Sequence, residues 1–361
     1  MHSFLSGVDC QNINGIALVF SYICALERDD DYLGDPPSSI EYRRSVMKLL
    51  LDFYKSLKHP SQIKSLSIEG LQDLNVSSIV DSTTFKSLIS SLTSLSLSIV
   101  SDQDDKGDCY SLFFQEFHKF AGELPKIWLM PSAGSLTKLV LYFDQHVGYF
   151  PRIDLRGVHF PRLRVLALSR YVFSHDWQFD WIFGHRESLE EISLDGCPII
   201  YARQTTQNLD AEEYLIWDGR SRNTMTDGTP RKIFTFERRW CEIFDRLRKE
   251  MPRLRDFRFD ALAFWFNTGI LLTRYDVLGR WMHDEMYAVF HSSHSDAGYS
   301  KTMKGWRGGK YKIYEWDKFN FPEVVEKDSK AFDTLLSHLG VDLFIRNSKQ
   351  LDLEENALHI E

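Results

Sequence analysis

The chain has 361 residues, of which 43% are hydrophobic and 14% aromatic, enough to bury a large core and too rich in rings for a disordered polymer. Its net charge of −8 and pI near 5.9 exclude a general attraction to nucleic acid or anionic membrane. Five cysteines (Cys10, Cys24, Cys109, Cys197 and Cys241) are odd in number and lack C-x-x-C spacing, which fits neither a disulfide framework nor a zinc site.

The longest apolar run, 16–26, is eleven residues, about half of what a membrane-spanning helix needs. No Lys or Arg precedes it and Asp9 does, so it reads as a packed helix or strand, and the protein as intracellular, cytoplasmic or nuclear. An acidic, turn-rich stretch follows at 27–39 with Asp29, Asp30, Asp31, Asp35, Pro36 and Pro37. Next comes an amphipathic helix over 43–57, with Val46, Leu49, Leu50, Phe53 and Leu57 on one side. Residues 1–60 are therefore expected to form an N-terminal cap.

A single apolar frame, L-x-x-L-x-L, then recurs six times. The units are Ile63-x-x-Leu66-x-Ile68, Leu92-x-x-Leu95-x-Leu97, Leu136-x-x-Leu139-x-Leu141, Leu163-x-x-Leu166-x-Leu168, Leu189-x-x-Ile192-x-Leu194 and Leu254-x-x-Phe257-x-Phe259. The last two apolar positions lie two apart and share one face of a short strand, while the first sits at the turn before it. Such a unit is too short to bury itself, and stacking the strands in parallel with helices behind them makes one continuous core.

First positions are 29, 44, 27, 26 and 65 residues apart. Three of these spacings fall in the leucine-rich-repeat range of about 20–29, and the other two imply insertions. Only the fifth unit completes the longer pattern, with Cys197 and Ile199. Elsewhere the Asn/Cys position holds Leu71, Val100, Asp144, Tyr171 and Leu262, so an irregular array is expected. Helices are expected between units at 85–92, 110–124 and 176–183, and most clearly at 236–251, capped by Thr235 with Trp240, Ile243, Phe244, Leu247 and Met251 along one stripe. The polar stretch 201–231 reads as an inserted loop.

The expected fold is thus α/β, an irregular leucine-rich-repeat solenoid over 61–260 with parallel strands on the concave face. A divergent cap over 261–361 follows, with a helix at 275–290, a Gly-rich turn, a strand-like 311–316 and a helix at 329–339.

Chemistry is sparse. His283, His291, His294 and Asp296 form a His-rich group without a H-E-x-x-H or a cysteine set, and a solvated loop explains it better than a metal site. Lys304 to Lys310 misses the P-loop spacing because Tyr311 follows the lysine. There is no G-x-S-x-G and no G-x-G-x-x-G opening a helix, so the reading is non-catalytic, with no cofactor and no metal. An enzyme with a site in the C-terminal region is the rival.

From residue 136 onward the chain resembles fungal F-box proteins with degenerate leucine-rich repeats. The likeness is carried by Phe160-Pro-Arg-Leu-Arg-Val-Leu-Ala-Leu168, Asp176-Trp-Gln-Phe-Asp-Trp181, Ser188-Leu-Glu-Glu-Ile-Ser-Leu-Asp-Gly-Cys-Pro-Ile199 and the late Trp316 with 328–339. The resemblance implies a substrate-holding repeat region and, through an F-box, attachment to the Skp adaptor and cullin of an SCF-type ubiquitin ligase. Residues 1–60 contain no L-P-x-E-[I/V]-L segment, so a scaffold with no ubiquitin link is the alternative.

Strand alternation turns the third, fifth and seventh positions of each unit toward the concave side. That face runs through Ser65, Ser67 and Glu69; Ser94, Ser96 and Ser98; Lys138, Val140 and Tyr142; Val165, Ala167 and Ser169; Glu191, Ser193 and Asp195; and Asp256, Arg258 and Asp260. Small side chains in the first four rows leave room for a protein partner. Four carboxylates against one guanidinium in the last two are expected to attract a basic segment, through Lys138, Tyr142, Glu191, Ser193, Asp195, Asp256, Arg258 and Asp260.

Overall fold

The computed structural model describes residues 13–21, 39–101, 112, 115–205, 208–216, 232–261, 279–280, 282–283, 286–292, 297–301 and 324–342. The acidic stretch 27–38, Cys10, Cys24, Cys109, residues 217–231, the turn at 304–310, the strand-like 311–316, His294 and Asp296 lie outside them. The chain is α/β and divides into two compact units, 1–163 with 264–273, and 164–263 with 274–361. Among the described residues no helix is long and apolar enough to cross a membrane.

The first unit opens with strand β1 (Gly15–Val19) and helix α1 (Ser39–Ser56). Next come β2 (Ser65–Gln72), the short α2 (Ser77–Val80), α3 (Thr83–Ser91), β3 (Ser94–Val100), α4 (Gln115–Leu124) and β4 (Lys138–Phe143). The four strands pair in parallel, and the frame positions fall opposite one another: Leu66, Leu95 and Leu139 in one row, Ile68, Leu97 and Leu141 in the next. All six are essentially fully buried.

Helix α3 is set by its own sequence, because Ser82 accepts the Phe85 N–H at 3.1 Å and Phe85, Leu88 and Ile89 form one buried stripe. Helix α1 departs from expectation by rotation. Its buried side is Arg43, Met47, Leu50, Leu51 and Tyr54, with Leu57 buried just past its end, while Leu49 is 44% exposed. The apolar residues of α1 fit two overlapping stripes, and Arg43 decides between them by bonding Gly70 O at 3.1 Å and also Ser21 O. Gly70 has φ +70°, and a Cβ there would meet Phe20 O at 2.8 Å, so the site requires glycine.

The second unit contains β5 (Val165–Ser169), α5 (Asp176–Phe183), β6 (Glu191–Asp195), β7 (Ile199–Thr205), β8 (Lys232–Thr235), α6 (Trp240–Glu250) and β9 (Asp256–Asp260), followed by β10 (Tyr287–Ser292), β11 (Ala297–Lys301) and α7 (Val325–His338). Strands β5, β6 and β9 are parallel, with Leu166, Ile192 and Phe257 in one row and Leu168, Leu194 and Phe259 in the next. A second sheet runs β11-β10-β7-β8.

Three expectations are corrected here. Residues 287–290, expected as the end of a helix, are strand, because Tyr287, Ala288, Val289 and Phe290 are all buried and pair with β7. The first residues of the polar stretch, up to Thr205, complete β7. Thr235 does not cap α6 but ends β8, and the helix starts five residues later at Trp240 with Arg239 in the cap position.

One hydrogen-bond device recurs at the strand starts. A single carbonyl accepts two successive N–H groups of the next strand: Asn14 O from Lys64 and Ser65, Lys64 O from Thr93 and Ser94, Thr93 O from Thr137 and Lys138. In the second unit Arg164 O takes Glu190 and Glu191, and Glu190 O takes Arg255 and Asp256. The leucine or isoleucine just before each rung is buried, which fixes the turn. Replacing Leu166, fully buried, with alanine is expected to cost about 2–5 kcal/mol in urea unfolding. A loss below about 1 kcal/mol would place it outside the core.

Candidate partner-binding face

In the second unit the side of β5, β6 and β9 opposite the core carries three rows: Val165, Glu191 and Asp256; Ala167, Ser193 and Arg258; Ser169, Asp195 and Asp260. Accessibility falls along the strands. The first row is half-buried, whereas Ser193, Asp195 and Asp260 are 3, 6 and 7% exposed. These three expected contact residues are therefore not on the surface.

The reason lies at the strand ends. Arg170, at φ 53°, donates its N–H to Asp195 O at 2.8 Å, and Gly196 does the same to Asp260 O at 2.7 Å. The Asp195 carboxylate accepts from Ser169 Oγ at 3.4 Å. That of Asp260 accepts the N–H groups of Ala261 at 2.8 Å and Gly279 at 3.1 Å. Both aspartates close turns, as buried acceptors do.

The charge balance changes too. Asp256 is held by Arg258 at 2.9 Å and by Arg280, which no local pattern connects to the row. The accessible groups are Glu191 and Asp256 against Arg258 and Arg280, all half-buried, so the expected excess of carboxylates is absent. In the first unit Lys138 and Tyr142 are half-buried and accessible, while Ser96, Ser98 and Val140 are buried. Ala167 and Ser169 are likewise buried.

Two of the residues that follow the apolar frame make hydrogen bonds at turns. Cys197 Sγ donates to Leu168 O at 3.4 Å and to Asp195 O at 3.5 Å, and Asp144 accepts the Ser101 N–H at 2.8 Å. Burial pushes the Cys197 thiol well above its usual range, which keeps it an inert donor. Burial raises Cys241 to about 11, with the nearby Asp328 charge acting in the same direction.

A buried polar cluster at the start of α6 had no signature in the sequence. Tyr287 OH donates to Asp328 Oδ2 at 2.6 Å and accepts the Trp240 N–H at 2.9 Å, and Asp328 Oδ1 accepts the Cys241 N–H at 2.8 Å. Residues of β10 and α7 thus supply the cap expected from Thr235, satisfying the first two free N–H groups of the helix. Their partners lie 47 and 87 residues away, beyond any local motif.

Of the His-rich group, His291 lies on β10 opposite Gln204 and Gly298, and His283 packs against Phe259 with ring centroids 4.6 Å apart. Among the described residues no three His, Cys, Asp or Glu side chains come together as a metal-ligand set.

Burial raises the Asp260 carboxyl to about 6, with the two backbone donors acting against the rise. A folded-state value above the unfolded one near 3.8 means that the native state holds the proton more tightly. The associated stability is present below about pH 4 and lost as pH rises through about 6. Between pH 4 and 7 the wild type is expected to lose up to about 3 kcal/mol relative to Asp260→Asn, measured by denaturant unfolding at each pH. Parallel curves for the two proteins would show that Asp260 titrates normally.

No protein-family model, curated protein or solved structure matches the chain.

Proposed function

We propose that this chain is a non-catalytic protein-interaction module built on an irregular leucine-rich-repeat array, similar in role to the substrate-holding region of an F-box subunit of an SCF-type ubiquitin ligase. The observation that supports this most is the repeated rung, one carbonyl taking two N–H groups of the next strand at five strand starts, in step with the L-x-x-L-x-L frame. A structural device that recurs in register with a sequence frame is the mark of stacked repeats. Lys138 and Tyr142 in the first unit, and Glu191, Asp256 and Arg258 in the second, are the accessible face residues that contact a partner in this reading. Asp195 and Asp260 close the turns at the end of the second unit's rows.

The test is quantitative capture from a native extract by wild type, Tyr142→Ala and Glu191→Lys, with circular dichroism to verify folding. Each variant is expected to lose captured protein from its own unit's surface, and Glu191→Lys more so at low salt, as exposed charge requires. Unchanged capture by both would remove the face from the reading. Ligase attachment is tested separately: this polypeptide is not expected to co-elute with purified Skp adaptor, since residues 1–60 hold no adaptor-docking motif. Stoichiometric co-elution would overturn that expectation.

A further inference from the structure

The turn that leads into β9 reads Met251-Pro252-Arg253-Leu254-Arg255. Leu254 is buried and its N–H bonds Met251 O at 3.1 Å, so the arginines on either side of it are turned out into solvent. Arg164, just before β5, is exposed in the same manner, its side chain 59% accessible. The strand-start rung fixes their order: the Glu190 N–H bonds Arg164 O and the Arg255 N–H bonds Glu190 O, each at 2.8 Å. With neighbouring strands about 4.8 Å apart, Arg164 and Arg255 stand roughly 10 Å from each other with Glu190 between them.

Three guanidiniums therefore stand beside two carboxylates, Glu190 and, acting on Arg164 through space, Glu191. Glu190 is engaged by Arg164 through two hydrogen bonds of 3.0 and 2.8 Å, and Arg255 and Arg253 act on it only through space. Arg186 and Glu187, at the turn before β6, pair with each other and add no net charge. Among the described residues neither Arg253 nor Arg255 is held in an ion pair. This edge is positive in a chain of net charge −8, and a local field of opposite sign orients a charged partner toward one place.

We propose that the strand-start edge of the second unit, formed by Arg164, Arg253 and Arg255, docks an acidic peptide segment. A short run of Asp and Glu matches Arg253 and Arg255, which stand beside the Arg164–Glu190 pair. A nucleic acid would bring many phosphates against few cations and a chain that is negative as a whole. The edge borders the first row of the face, whose Glu191 acts on Arg164, and the inference does not depend on the repeat reading.

The experiment uses the intact chain and a fluorescein-labelled Glu-rich octapeptide, followed by fluorescence anisotropy at about 30 mM and about 150 mM salt. The peptide is expected to bind at low salt and more weakly at the higher salt. Arg253→Glu with Arg255→Glu is expected to weaken it about tenfold. Arg253→Gln with Arg255→Gln, which removes charge without reversing it, gives an intermediate loss and serves where the reversal does not fold. Equal affinity for wild type and both variants would overturn the proposal, as would tighter binding of a single-stranded oligonucleotide of the same charge.

Discussion

Replacing Trp240 with alanine is expected to destabilise the second unit by about 3–5 kcal/mol, a large share of the roughly 5–15 kcal/mol that holds a typical domain together. Trp240 is fully buried at the first turn of α6 and lies at the centre of an aromatic cluster. Its ring meets Phe173 and Phe179 edge-on at 5.8 and 6.1 Å, stacks on Phe244 at 5.5 Å and meets Phe259 at 4.7 Å. Such pairs add to the apolar area they bury. The indole N–H donates to Met286 O at 2.7 Å, joining the helix to the chain just before β10. Trp240→Phe should recover most of the packing and remove one of that carbonyl's two donors, the Ile199 N–H at 3.0 Å remaining, for a loss of about 0.5–1.5 kcal/mol. Denaturant unfolding of the three proteins separates the two contributions. A Trp240→Ala loss below about 1 kcal/mol would show that the ring is not the centre of this core.

Tyr287→Phe is expected to cost about 2–4 kcal/mol although it removes one oxygen atom. That hydroxyl both donates to Asp328 and accepts from the Trp240 N–H, and each partner is left buried without it. Asp328 is fully buried, and its carboxyl is raised by burial against the opposing effect of the Tyr287 and Cys241 donors. Removing the tyrosine donor should raise it further, so that the stability present below the unfolded value is lost over a window that extends to higher pH. Asp328→Asn keeps one acceptor for the Cys241 N–H, so the double variant measures the hydroxyl–carboxyl coupling alone. A coupling of about 1–3 kcal/mol is expected for contacting buried groups. Additive losses would mean that α7 is not joined to α6 through this pair.

The sequence by itself determined the parallel strands and several helices, because each has a short-range physical cause. An apolar frame of period two, a buried leucine at the preceding turn and a serine cap at Ser82 act within a few residues of themselves. Residues 176–183 were legible as a helix for the same reason, since five of its eight side chains are buried around one turn pattern.

What only the tertiary structure decided has causes far away along the chain. The rotation of α1 was set by Arg43 reaching Gly70, 27 residues on. The cap of α6 came from Tyr287 and Asp328, and 287–292 became strand because β7 offered a pairing edge.

The candidate face was legible only as alternation. Period two names which side of a strand a residue takes, but says nothing of what lies over that side. Asp195 and Asp260 were therefore indistinguishable from surface carboxylates until the turns of Arg170, Gly196 and Gly279 closed upon them. Arg280 altered the charge of the row from 24 residues beyond Asp256. Local periodicity fixes the direction of a side chain, and long-range contact fixes whether it meets water.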